Sequence, residues 1–195
     1  LLTRLPLLAL LLSGVLVAGC TGADKATPKA TATTPPSTAS TTSADGTTVP
    51  GAVLKPGQRA VVRWRAGKAH DSVIGLTVTG VRRGSIADLS HYKLGRAARA
   101  STLYYVYSVV RNTGSGNLSG RRLPLYGKVS SHLVVPPVRF KLPFHRCDDR
   151  PLPAHFAKGA RARVCMVMLA PRHGSISSVE WRSPRLPQPV SWSVR

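Results

Sequence analysis

The sequence predicts an all-β domain, a β-sandwich of about seven to nine short strands, on three observations. Apolar residues recur with the period of two that a strand imposes. The runs that carry this period are short. Glycine, proline or Asn/Ser-rich turns separate them. Residues 51–195 suffice for one hydrophobic core and are too few for two.

Residues 59–66 show the alternation most clearly. Ala60, Val62, Trp64 and Ala66 fall on one face and Arg59, Val61, Arg63 and Arg65 on the other, which predicts a half-buried strand with a basic outer face. Residues 73–81 place Ile74, Leu76 and Val78 on one side and Thr77 and Thr79 opposite. Residues 103–110 are apolar or aromatic at both parities, as in a strand covered on both faces. The run from Asn112 through Thr113, Gly114, Ser115 and Gly116 to Asn117 ends that strand with turn chemistry. Further strands are predicted at 123–126, 129–135, 138–142, 161–169, 176–181 and 190–194. Residues 86–100 alone carry a helical turn or long loop.

The N-terminal end has a different character. Arg4, an apolar run over residues 5–17, then Val17-Ala18-Gly19-Cys20 follow the order of a secretory signal with small residues before a cysteine. A bilayer span needs about 20 apolar residues, and this run is shorter and broken by Pro6 and Gly14. The segment resembles the lipobox signal of bacterial lipoproteins. That resemblance implies cleavage before Cys20, a diacylglyceryl group on its thiol, and a protein held by lipid on the outer face of the cytoplasmic membrane. Residues 21–50 are mostly Thr, Ala, Ser and Pro without an aromatic residue. Such a stretch buries too little apolar surface to offset its ordering entropy, so a disordered linker over residues 20–50 is predicted. As a flexible coil it averages roughly 30 Å end to end.

A second resemblance rests on Gly84-Ser85-Ile86-Ala87-Asp88-Leu89, on Tyr104-Tyr105-Val106 running into Arg111-Asn112-Thr113-Gly114, and on Cys147 and Cys165. These are similar to a group of uncharacterised actinobacterial lipoproteins, which resemble in turn the telokin-like, immunoglobulin-fold domain of many secreted Gram-positive proteins. The similarity spans roughly residues 57–182. It implies an immunoglobulin-like β-sandwich and an extracytoplasmic address, and it carries no activity. With Cys20 assigned to lipid, Cys147 and Cys165 remain as an even pair in an oxidising compartment, which favours a disulfide. Closing that loop stabilises by about 3 kcal/mol on the chain-entropy model.

A metal site is the rival use of this region, through His145 and His155 near the cysteines or through the thioethers Met166 and Met168, which share a strand face and suit Cu(I). Val164 lies on the same face, so core filling is the competing role for both methionines. No tight Cys-x-x-Cys or His-x-x-x-His pair occurs, and no cofactor is expected. Catalysis is poorly supported. Residues 51–195 hold five acidic residues, Asp71, Asp88, Asp148, Asp149 and Glu180, and no Gly-x-Ser-x-Gly, Ser-x-x-Lys or His-Glu-x-x-His motif. Asp148 and Asp149 are expected to pair with Arg146 and Arg150.

Charge is the remaining feature. The chain carries 28 Lys and Arg against 7 Asp and Glu, a formal net charge of +21. A field of this size draws a domain onto polyanions, here anionic lipid headgroups or phosphate-bearing wall polymers. Candidate contacts are Arg59, Arg63 and Arg65, the pairs Arg82-Arg83 and Arg121-Arg122, and Arg161 with Arg163. Each pair taken alone also fits a merely solvated face. Tyr104, Tyr105 and Tyr107 could stack bases, but they lie in the most apolar strand, and export makes nucleic acid an unexpected ligand. The expectation is a lipid-anchored, non-catalytic domain that binds envelope polyanions. An interaction module for another envelope protein and a copper or zinc delivery protein stand as alternatives.

Overall fold

The computed structural model describes residues 41–67, 70–184 and 186–194. The lipobox with Cys20 and linker residues 21–40 lie outside the described residues. Among the described residues nine strands form two sheets, with β1 (Val53–Leu54), β9 (Val190–Ser193), β8 (Ser178–Trp181), β5 (Leu125–Lys128) and β6 (Val134–Val135) in that order in the first. The second sheet runs β2 (Arg59–Arg65), β3 (Asp71–Arg83), β4 (Thr102–Asn112) and β7 (Arg161–Ala170).

The two sheets pack against each other as a β-sandwich. β4 and β7 are neighbours in one sheet and β5 and β8 in the other, β9 follows β8, and β1 pairs parallel with β9. The β2–β3 hairpin widens the second sheet.

The main core lies between the sheets. Ala60, Val62 and Trp64 of β2, Ile74, Leu76 and Val78 of β3, and Met166 and Met168 of β7 meet Leu125, Val179, Trp181 and Trp192 of the opposite sheet. Trp64 and Trp181 join the layers edge to face, with ring centroids 5.6 Å apart. The parity read from the sequence for β2 and β3 therefore holds.

The two-faced character of β4 has its reason in a second core on the outer side of its sheet. Leu103, Tyr105 and Val167 point away from the main core and are covered by Leu89, Phe144 and Cys147. The cover consists of two segments. One contains a 3-10 turn at Ile86–Leu89 and a short helix, α1 (Arg96–Arg99), as expected for residues 86–100. The other is the stretch around Phe140 and Phe144, where a strand was expected at 138–142. Here the chain makes a bridge from Pro137 to Met168 and a bond from Val138 N–H to Val167 O, then leaves the ladder. By crossing the sheet face it buries Phe144 and half buries Phe140, which a further strand at the edge would not achieve. The strand expected over 129–135 likewise shrinks to its last two residues.

Linker residues 41–50, expected to be disordered, are ordered. Thr42 bridges Thr48, and Thr48 donates its N–H to Val61 O at 2.7 Å while its hydroxyl accepts the Val61 N–H at 2.9 Å. A Thr/Ser/Pro segment that cannot build a core is held here by the open edge of β2, whose backbone groups need partners. Among the described residues the ordered approach to the domain accordingly begins at Thr41.

Candidate functional site

The sequence motifs of the second resemblance are structural. Ser85 and Asp88 form a reciprocal capping box on the 3-10 turn, and Asp88 also accepts the Tyr105 hydroxyl at 2.7 Å and pairs with Arg146 at 3.1 Å. Gly84 is required because a Cβ there would stand 2.5 Å from both Leu103 Cδ2 and the Tyr105 ring. Asn112, fully buried, accepts from the Ser72 hydroxyl and donates its amide to the carbonyls of Gly116 and Phe156, so it ties the start of β3 and two loops to the end of β4.

Cys147 and Cys165 form the expected disulfide, which staples the outer covering segment to β7. Both thiols are thereby consumed. Met166 and Met168 are 1% and 0% exposed inside the main core, the position of core filling. Among the described residues no three His, Cys, Asp or Glu side chains cluster as metal ligands.

The five carboxylates of residues 51–195 are all engaged. Asp71 meets Arg65 at 2.8 Å and Arg63 at 4.0 Å, and Asp148 pairs with Arg150. Asp149 pairs not with its sequence neighbours but with Arg139 at 2.5 Å and Arg122 at 3.0 Å, and Arg146 goes instead to Asp88. The covering segment folds back so that residues distant in sequence surround Asp149, which is why neighbour pairing fails. Burial outweighs these two guanidiniums and holds the Asp149 carboxyl above the usual carboxylate range. Glu180, 2% exposed, lies between Arg182 at 2.8 Å and Lys128 at 3.8 Å.

Against this background the uncovered half of the β2–β3–β4–β7 outer face stands out. Arg111 on β4 is the direct register partner of Arg161 on β7, and Val109 is the partner of Arg163. Across the sheet, Arg111 is also the partner of Gly75 on β3. A Cβ on Gly75 would come within 2.8 Å of the Arg59 guanidinium carbon and Nη2, so the Arg59 head group lies flat over that glycine. Arg59, Arg111 and Arg161 therefore form one row across the strands, with Arg163 beside it. All four are exposed, and among the described residues none has a carboxylate within ion-pair distance.

Compared with protein-family models, curated proteins and solved structures, the chain finds no match.

The predicted basic residues divide accordingly. Arg59, Arg161 and Arg163 converge, Arg63 and Arg65 share the same face but lean on Asp71, and Arg122 is bound to Asp149. Arg121 is half buried, with Nη1 3.5 Å from Ala66 O, and Arg82 and Arg83 stand at the far end of β3 opposite Tyr105 and Tyr104. Arg111 was missed by sequence reasoning. Its parity, shared with Tyr105, Tyr107 and Val109, was the available signal, hidden because the prediction ended that strand one residue earlier. The tyrosines form no platform: Tyr104 belongs to the main core and Tyr105 to the second. Beside the row, a cleft of about 610 Å³ is lined by Tyr107, Val109, Arg161 and Arg163 and walled by Arg146, Cys147 and Asp148.

Proposed function

We propose that this chain is a lipid-anchored extracytoplasmic protein whose basic β-sandwich binds anionic polymers of the cell envelope, acting by binding rather than chemistry. The single observation that carries this reading is the face bearing Arg59, Arg111, Arg161 and Arg163, unmatched by any carboxylate among the described residues. The lipobox-like Val17-Ala18-Gly19-Cys20 supports the anchor, and the engagement of all five carboxylates of residues 51–195 in ion pairs supports binding over acid–base chemistry.

The test is co-sedimentation of residues 39–195 with isolated cell walls over a salt series. Binding that weakens steeply as salt rises, and fails when Arg59, Arg111, Arg161 and Arg163 are all changed to Gln, supports the reading. Absence of binding at low salt overturns it. The anchor is tested separately in cells by Cys20→Ser, which is expected to release the protein from the membrane fraction and abolish labelling with palmitate.

A further inference from the structure

We infer that the row Arg59, Arg111 and Arg161 is a binding site for successive phosphates of a linear phosphodiester polymer, a step that rests on the polyanion reading above and names its ligand. The first argument is electrostatic. Directly opposed residues on antiparallel strands lie about 5 Å apart at Cα, and like charges in such positions repel and weaken the ladder. Arg111 and Arg161 are such a pair, and no carboxylate among the described residues sits between them. A bound anion removes that repulsion. Other exposed cations, Arg82, Arg83, Arg96 and Arg99 among them, also lack a carboxylate partner among the described residues, but Arg111 and Arg161 are directly opposed across a ladder and Arg59 reaches over Gly75 to join them.

The second argument is chemical. A guanidinium offers a planar fork of donors that fits a phosphate with two parallel bonds, which a lysine cannot do. All the cations of the row are arginines, and Arg59 is already laid flat over Gly75, so little side-chain freedom is left to lose on binding.

The third argument is shape. Arg161, at the end of the row, also lines the cleft beside Tyr107, whose lining includes Arg146, Cys147 and Asp148. A flexible chain can run from the row into that cleft, whereas a flat bilayer surface cannot follow it. Tyr104 and Tyr105 are each buried in a core, which leaves Tyr107 as the single tyrosine of the three on the cleft, one ring and no platform for successive bases. The ligand is therefore a phosphodiester chain recognised through its backbone.

The test measures binding of residues 39–195 to a synthetic glycerol-phosphate oligomer by calorimetry over a salt series. Arms with polyglutamate of equal charge and with phosphatidylglycerol/phosphatidylcholine vesicles run alongside. The expected result is binding to the oligomer at least about tenfold tighter than to polyglutamate, lost by about tenfold or more in Arg111→Gln/Arg161→Gln. For a single-stranded polyanion each neutralised contact reduces the slope of log K against log salt by about 0.7, so the double variant loses about 1.4. Arg111→Lys/Arg161→Lys keeps the wild-type slope but binds more weakly, because charge remains and the fork is gone. A Gln variant that melts at or above the wild-type temperature yet fails to bind excludes misfolding.

Three results overturn the inference: unchanged affinity in the Gln variant, polyglutamate bound as tightly as the oligomer, or vesicles bound more tightly than the oligomer. Wall binding that survives in the Gln variant overturns this site and leaves the broader reading standing. A wild-type domain that binds neither walls nor oligomer ends both.

Discussion

The Tyr105 hydroxyl donates to the Asp88 carboxylate across 2.7 Å, linking the middle of β4 to the 3-10 turn that covers it. The pair shifts both groups. The Tyr105 bond, with the Ser85 N–H and Arg146, lowers the Asp88 pKa below 3.8, while burial and the adjacent carboxylate push Tyr105 up to about 12.

Stability should therefore fall at both ends of the pH scale. The Asp88 contribution is present above its unfolded value near 3.8 and is lost as pH falls through the lower folded value. The Tyr105 contribution is constant below pH 10.0 and declines between there and about 12, where the unfolded chain has lost a proton that the folded one keeps. Denaturant midpoints measured across pH are expected to show that Tyr105→Phe flattens the alkaline limb. Asp88→Asn should flatten the acid limb and the alkaline limb only in some measure, because burial is the larger cause of the tyrosine shift.

Loss of the disulfide should act mainly on the outer cover. Cys147→Ser/Cys165→Ser is expected to cost about 3 kcal/mol in chemical denaturation. Hydrogen exchange should rise first around Phe144 and Val167, which share the second core with Cys147, before it rises around Trp64 and Trp181 between the sheets.

Asn112 should be intolerant of substitution. Asn112→Ala leaves the Ser72 hydroxyl and the Gly116 carbonyl without their partner and removes one of the two donors to the Phe156 carbonyl, which keeps the Leu118 N–H. An expected loss of about 2–3 kcal/mol follows from the polar groups unpaired together, read as a lowered midpoint of thermal unfolding.

The ordered approach to β2 predicts where the domain can be trimmed. A soluble form starting at Ala39 should be more stable than one starting at Gly51 by about 1–2 kcal/mol, because the shorter form loses both bonds between Thr48 and Val61. Equal midpoints for the two would show that the edge of β2 does not need this cover.

What the sequence disclosed depended on whether a residue's partner was set by period or by tertiary path. Ala60, Val62 and Trp64 announce their face by alternation, because a strand's pleat allows nothing else. The apolar residues at both parities of 103–110 announced a second covering layer without saying what formed it. The cover is an irregular segment, but Val138, Phe140 and Leu142 alternate with Arg139 and Lys141 as a strand's residues would, so it read as a strand. β1 has only two residues, too short for any pattern, and is defined by the parallel β9 beside it. Asp149 was assigned to its neighbours in sequence because Arg139 and Arg122 reach it only after the segment folds back. The basic face was half visible: the Arg59 parity was legible, but its meeting with Arg111 and Arg161 depends on the β3–β4–β7 register, which a single strand does not encode.

The small hairpin around Thr42 and Thr48 also determines how the domain answers to mechanical load. A pull on the chain ahead of Thr41 meets first the Val49 N–H to Thr41 O bond, then Ser43 N–H to Thr47 O, and only later the Thr48 links to Val61. These bonds break in succession, like the teeth of a zip, and release slack of about 30 Å for some eight residues. Only then does tension reach β1, which lies alongside the last strand of the chain. Under load the hairpin is expected to extend before the sandwich, leaving the sheets and the arginine row in place while it does.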